Sequence, residues 1–195
     1  LTEQQLAEFL AALPEHVICV LDEAYFEYVA EVDYPSSVAW LARYPNLIIT
    51  RTFSKAYGLA GLRIGYGLSS PEMADILNRV RQPFNNNALA LAAAEVALSD
   101  TEYLQATVAL NKAGMQQLTS TFAEMGLPWI ASVGNFVSVD LLREAASINT
   151  ALLHKGVIVR PVANYEMPNH LRISIGTAAE NDFFIKALQS VLADV

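Results

Sequence analysis

The chemistry-bearing residues of this chain crowd into one loop, where Thr52, Ser54, Lys55 and Arg63 stand among Gly58 and Gly61. An apolar run, Asn46-Leu47-Ile48-Ile49-Thr50, leads into the loop, and a second, Ile64-Gly65-Tyr66-Gly67-Leu68, leaves it. Both runs read as buried strands, and a charge between buried strands is costly unless paired. The surrounding groups suit an anionic phosphate: two hydroxyls, backbone N–H groups near the glycines and a guanidinium fork. A lysine in an apolar setting beside another cation loses its proton more easily and is nucleophilic as the free amine. An imine-forming lysine beside a phosphate cradle suggests pyridoxal phosphate as the ligand.

The segment Ser54-Lys55-Ala56-Tyr57-Gly58-Leu59-Ala60-Gly61-Leu62-Arg63-Ile64-Gly65 resembles the lysine motif of the class I/II aminotransferases, which are fold-type I pyridoxal-phosphate enzymes. Within them it is most similar to the histidinol-phosphate branch. The resemblance implies that Lys55 holds the cofactor as an imine and then shuttles a proton. It also implies that Ser54, Arg63 and Thr52 anchor the cofactor phosphate. Without the resemblance, the same stretch is a strand–loop–strand carrying a surface lysine and a chance arginine.

Positioning those groups requires a second strand. His16-Val17-Ile18-Cys19-Val20-Leu21 reads as a strand buried on both faces, as in a parallel sheet, and it ends in Asp22-Glu23-Ala24-Tyr25. Ligand groups of open α/β sheets lie at the carboxyl ends of strands, and Asp22 is so placed. The resemblance implies that Asp22 keeps a pyridinium nitrogen protonated and that Tyr25 bonds the ring's phenolic oxygen. The plainer readings are a turn cap for Asp22 and a core aromatic for Tyr25.

A second pair of cations, Arg160 and Arg172, sits on two apolar runs joined by a loop, and neighbouring strands can bring both guanidinium groups to one anion. The stretch from Arg160-Pro161 through Asn164-Tyr165-Glu166-Met167-Pro168-Asn169-His170-Leu171-Arg172 to Gly176 is similar to the C-terminal segment of the histidinol-phosphate branch. There, matching arginines hold the substrate phosphate. A surface salt bridge is the competing account of Arg160. His154 and His170 read as structural or solvated.

The remaining elements follow from periodicity and caps. Leu6, Phe9, Leu10 and Leu13 mark a helical face over Leu1–Leu13, with Thr2 as its cap and Pro14 as its stop. Phe26 to Pro35 reads as a loop and Val38 to Tyr44 as a short helix. Ser70-Pro71-Glu72 opens a helix to Val80, Arg81 to Asn87 is a loop, and Ala88 to Leu98 is a small-residue helix. A long helix follows to Met125. Beyond Gly126 the reading is strands at Leu127–Ser132, Phe136–Val139, Val157–Arg160 and Leu171–Ile175. A helix over Leu141–Lys155 is closed by Gly156, and a last helix runs from Ala179 to the end.

These elements make an α/β chain. The resemblance divides it into the later part of a large cofactor-binding domain (1–100, a mostly parallel sheet with flanking helices), an interdomain helix (101–125) and a small α/β C-terminal domain (126–195). The 195 residues are 53% hydrophobic, which fits a globular chain. The net charge of −8 argues against nucleic acid. No apolar run reaches membrane-spanning length, no metal-ligand set is evident, and the start lacks a signal peptide. The single cysteine, Cys19, fits a reducing cytoplasm. The resemblance covers only the later half of the family's usual chain and so implies a piece of a longer protein, a homodimer when complete and inactive on its own. The expected reaction is transamination of histidinol phosphate with 2-oxoglutarate, giving glutamate. Another class I/II aminotransferase, a related decarboxylase or lyase, and an inert truncated fragment are the alternatives.

Overall fold

The structure is a computed structural model and describes residues 1–193. By its internal contacts the chain divides into two compact units, Leu1–Gln105 and the residues from Ala106 onward.

The first unit opens with α1 (Glu3–Ala12), held by the cap that the sequence predicts. Thr2 Oγ1 accepts from Gln5 N–H, and Gln5 Oε1 accepts in return from Thr2 N–H at 3.0 Å. Leu6 and Leu10 bury the inner face of the helix against a sheet of β1 (Cys19–Asp22), β2 (Leu47–Thr52) and β3 (Gly65–Leu68), in that order. β1 and β2 run parallel, with Cys19 opposite Leu47 and Asp22 opposite Thr50, while β3 returns antiparallel to β2. The sheet is therefore mixed within an α/β chain. Leu47 and Ile49 are fully buried, each contributing roughly 1.5–3 kcal/mol through burial.

The expectation for the first strand needs correction. Only Cys19–Asp22 pairs as strand, and burial on both faces is not observed, since Ile18 and Val20 are 54% and 59% exposed. One face meets α1, and among the described residues nothing covers the other. The run after the lysine loop differs in the same way: Gly65 and Gly67 are exposed and their partners half-buried. Residues 26–28 and 37–42 form short 3-10 turns. Helices α2 (Pro71–Val80), α3 (Ala88–Ser99) and α4 (Thr101–Glu124) match their predicted positions. Ser70 Oγ and Asn87 Oδ1 cap α2 and α3 by accepting from Met73 N–H and Ala90 N–H.

The unit boundary falls inside α4, whose Leu118 and Phe122 belong to the core of the second unit. Here β4 (Trp129–Ile130), β5 (Phe136–Asp140), β6 (Arg160–Pro161) and β7 (His170–Ser174) form an antiparallel sheet ordered β4-β5-β7-β6. It packs on α5 (Ala145–His154) and α6 (Ala178–Ala193) through Ile148, Leu152, Phe184 and Leu188. β4 and β6 are shorter than their apolar runs suggest. Helix α5 starts four residues later than expected, because Asp140 Oδ1 accepts from Leu142 N–H at 2.8 Å and holds a turn there. Gly156, at φ 78°, follows α5 as predicted. The predicted end of the last helix at the chain terminus lies outside the described residues. Among the described residues no helix is long and apolar enough to cross a membrane.

Candidate active site

Parallel pairing puts the carboxyl ends of β1 and β2 side by side. From the first extends the turn bearing Asp22 and Tyr25, and from the second the loop bearing Thr52, Ser54 and Lys55. Lys55 Nζ lies 5.3 Å from the centre of the Tyr25 ring, so residues thirty apart in sequence meet in one place. Asp22 is exposed, and its Oδ1 accepts from Ala24 N–H at 3.1 Å and Thr50 Oγ1 at 3.4 Å. Asp22 thus does act as a turn cap, and its second carboxylate oxygen makes no hydrogen bond among the described residues.

The lysine loop is shaped by close packing. Phe53 and Ala56 are buried and anchor it from below, with the Phe53 ring 5.1 Å from Tyr57 and 5.6 Å from Tyr66. Lys55 between them stays half-buried. Gly58 takes φ 70°, and a Cβ there would lie 2.5 Å from the Tyr103 hydroxyl. At Gly65 a Cβ would lie 2.8 Å from the Arg51 carbonyl oxygen, so β3 approaches β2 where only glycine fits. Arg63 is itself left-handed, at φ 55°, and exposed. It donates one bond, from Nη1 to the Ala60 carbonyl at 2.8 Å, which leaves most of its donors available. Thr52 Oγ1 accepts from Ser54 N–H at 3.0 Å, leaving both hydroxyl protons to be given elsewhere. These donors, a reachable amine and an exposed carboxylate suit a ligand with a phosphate, an aldehyde and a ring N–H.

A buried network beneath these groups escaped the sequence reading. Glu23, its side chain fully buried, accepts from Arg51 Nε at 2.9 Å and Nη2 at 2.8 Å through one oxygen. Through the other it accepts from Ser37 Oγ at 2.6 Å and the Tyr34 hydroxyl at 3.1 Å. Arg51 also lies 3.7 Å over the Phe26 ring. Burial alone would lower the Arg51 guanidinium, but the bonds and charge of Glu23 overcome it and raise it. Burial, with Glu23 adding to it, pushes the Tyr34 phenol up to about 12. Burial also raises Glu27, whose Oε2 has no hydrogen-bond partner among the described residues, and Tyr57. The available signal was Arg51 itself, a cation within β2 just after its apolar run Leu47-Ile48-Ile49 and therefore in need of a carboxylate.

In the second unit, Arg160 and Arg172 are direct register partners across β6 and β7, which puts both side chains on one face. Arg172 is half-buried with its guanidinium 4.8 Å from the Phe136 ring centre, and Arg160 is exposed. Among the described residues neither has a carboxylate within ion-pairing distance, so the surface salt bridge expected as the competing account of Arg160 is not seen. Two unpaired guanidinium groups on adjacent strands repel unless an anion lies between them.

Residues 1–188 match the family described as aminotransferase class I and II. The chain belongs to that family. Histidinol-phosphate aminotransferase 2 of Pseudomonas fluorescens is 63% identical over 190 residues, which are 97% of this chain and 51% of that protein. Histidinol-phosphate aminotransferase 2 of Methylococcus capsulatus is 60% identical over 188 residues, 96% of this chain and 51% of that one. Among solved structures, histidinol-phosphate aminotransferase from Sinorhizobium meliloti in complex with pyridoxal 5'-phosphate superposes with a TM-score of 0.89 at 36% identity. That match covers 100% of this chain and 54% of that one. The chain spans about half the length of the curated relatives it matches.

Proposed function

We propose that this chain is the later half of a pyridoxal-phosphate-dependent aminotransferase that converts histidinol phosphate, with 2-oxoglutarate as amino acceptor, in histidine biosynthesis. The carrying observation is the meeting of Lys55 with the turn of Asp22 and Tyr25 at two parallel strand ends. The names of the relatives support the substrate. The domain division at 1–100, 101–125 and 126–195 is part of the same reading, and the unit boundary inside α4 supports it. A homodimeric cytoplasmic enzyme is the form expected of the complete protein.

When bound, pyridoxal phosphate supplies an aldehyde that condenses with amines and a ring that takes up electron density. Lys55 is the amine that would hold the aldehyde. Its Nζ would also carry the proton, as general base at the substrate carbon and then as general acid. Asp22 would accept from the ring N–H and, as an anion, favour its protonated form. Tyr25 would donate to the phenolic oxygen. Ser54, Arg63 and Thr52 bind the cofactor phosphate with hydroxyl and guanidinium donors. Arg160 and Arg172 bind the substrate phosphate, a dianion able to engage two forks.

The test is borohydride reduction of the cofactor-loaded longer protein followed by peptide mapping. A pyridoxyl mass on Lys55 is expected. The same mass on Lys112, Lys155 or Lys186 would overturn the assignment.

A further inference from the structure

We propose that Glu23 and Arg51 are a positioning pair that fixes the Asp22–Tyr25 turn against the strand end bearing Lys55. The proposal rests on the roles given to those residues above.

Side chains alternate along a strand, and Asp22 pairs in register with Thr50. The next residues along are Glu23, just past the end of β1, and Arg51, joined further by the Glu23 N–H bond to the Thr50 carbonyl at 2.9 Å. The ion pair therefore lies on the opposite sheet face from Asp22, in line with Leu21 and Ile49, over the core of the first unit. Asp22 itself is exposed and, among the described residues, tied only to Ala24 and Thr50, at 3.1 and 3.4 Å. The backbone of its turn must set its place. Arg51 grips that turn from both sides of Ala24 and Tyr25, through the Glu23 carboxylate before them and the Phe26 ring after them. In sequence Arg51 stands four residues before Lys55, near the end of the strand that leads into its loop. One guanidinium thus ties the carboxylate side of the site to the amine side.

The chemistry of the pair favours this role over a purely stabilising one. A buried ion pair can often be exchanged for apolar residues of similar volume without loss of stability. What apolar residues cannot reproduce is the direction and distance fixed by a two-bond fork. Leu21 and Ile49 show that this face accepts apolar side chains one step away.

The experiment uses the longer protein with two variants, Glu23→Gln and the double replacement Glu23→Leu with Arg51→Met. Thermal melting and amide hydrogen exchange are read without cofactor. The pH midpoint of the cofactor absorbance band is read after loading with pyridoxal phosphate. The expected result for the double variant is a melting point within a few degrees of the parent. Exchange should rise about tenfold or more at residues 22–26 and 53–58 alone, as an opening free energy lower by about 1.4 kcal/mol would give. The absorbance midpoint should shift in both variants. If the double variant does not fold, Glu23→Gln decides by the same readings. The proposal is overturned if exchange and midpoint stay at parental values, or if exchange rises evenly along the chain as melting falls. A parent protein that gains no absorbance band would sink the aminotransferase reading instead, while the exchange measurement still decides the clamp.

Discussion

On the proposed mechanism, replacing Lys55 with alanine in the longer protein removes both the covalent anchor and the proton carrier. The rate should fall at least about a thousandfold, since a positioned acid–base group alone is worth roughly 100- to 10,000-fold. Single-turnover kinetics would show the loss in chemistry rather than in substrate binding. Asp22→Asn should leave melting unchanged, because Asp22 is exposed and only two weak bonds hold it. Turnover should nonetheless collapse; near-parental turnover would remove Asp22 from the mechanism. At Arg160 the measurement is kcat/KM for histidinol phosphate against a carboxylate substrate such as phenylalanine. Losing one partner of a desolvated ion pair costs about 2–5 kcal/mol. Arg160→Ala should therefore lower the phosphate substrate roughly 30-fold or more and spare phenylalanine. Equal losses on both substrates would favour a general aminotransferase.

At the scale of elements, the lysine loop is where packing and backbone conformation constrain each other. Gly58→Ala places a methyl group against the Tyr103 hydroxyl at a left-handed position, where an L-residue costs about 1–2 kcal/mol before any clash. Pairing it with Tyr103→Phe removes the 2.5 Å contact but not the strain. Thermal melting should therefore show partial recovery in the double variant. The loop, its flanking strands and the helices α1 to α4 were legible because their signals are local: caps at Thr2 and Ser70, apolar runs and glycine punctuation. The Glu23–Arg51 network was not, since its partners lie 28 residues apart and no local pattern says which carboxylate answers Arg51. Ile18 and Val20 misled for the opposite reason. Their apolar character records a face that the described residues leave open, and no local pattern distinguishes a covered face from an open one.

Considered whole, the chain carries large exposed apolar side chains on several elements, among them Val20, Leu89, Val96 and Phe84, the last 97% exposed. Helix α3 is apolar nearly all round, a pattern that belongs to buried helices. In isolation the chain should self-associate and take up pyridoxal phosphate poorly. Sedimentation and an absorbance titration check this, and a monodisperse monomer with a full cofactor band would contradict it. The alkaline response follows from Tyr34. Its folded-state value, about 12, lies above the ordinary 10.0, so its stabilising share is complete below pH 10 and disappears as pH rises toward 12. Melting should decline across that window, and Tyr34→Phe should flatten the decline.

The close approach at Gly65 has a consequence for genetics. A Cβ there meets a backbone oxygen of β2, and moving that oxygen would shift the strand that carries the loop of Lys55. On the proposed function, in a saturation library of the longer gene selected by growth without histidine, codon 65 should survive only as glycine. A survey of surviving alleles would then group it with Lys55 and Asp22, although position 65 offers a ligand no side chain at all.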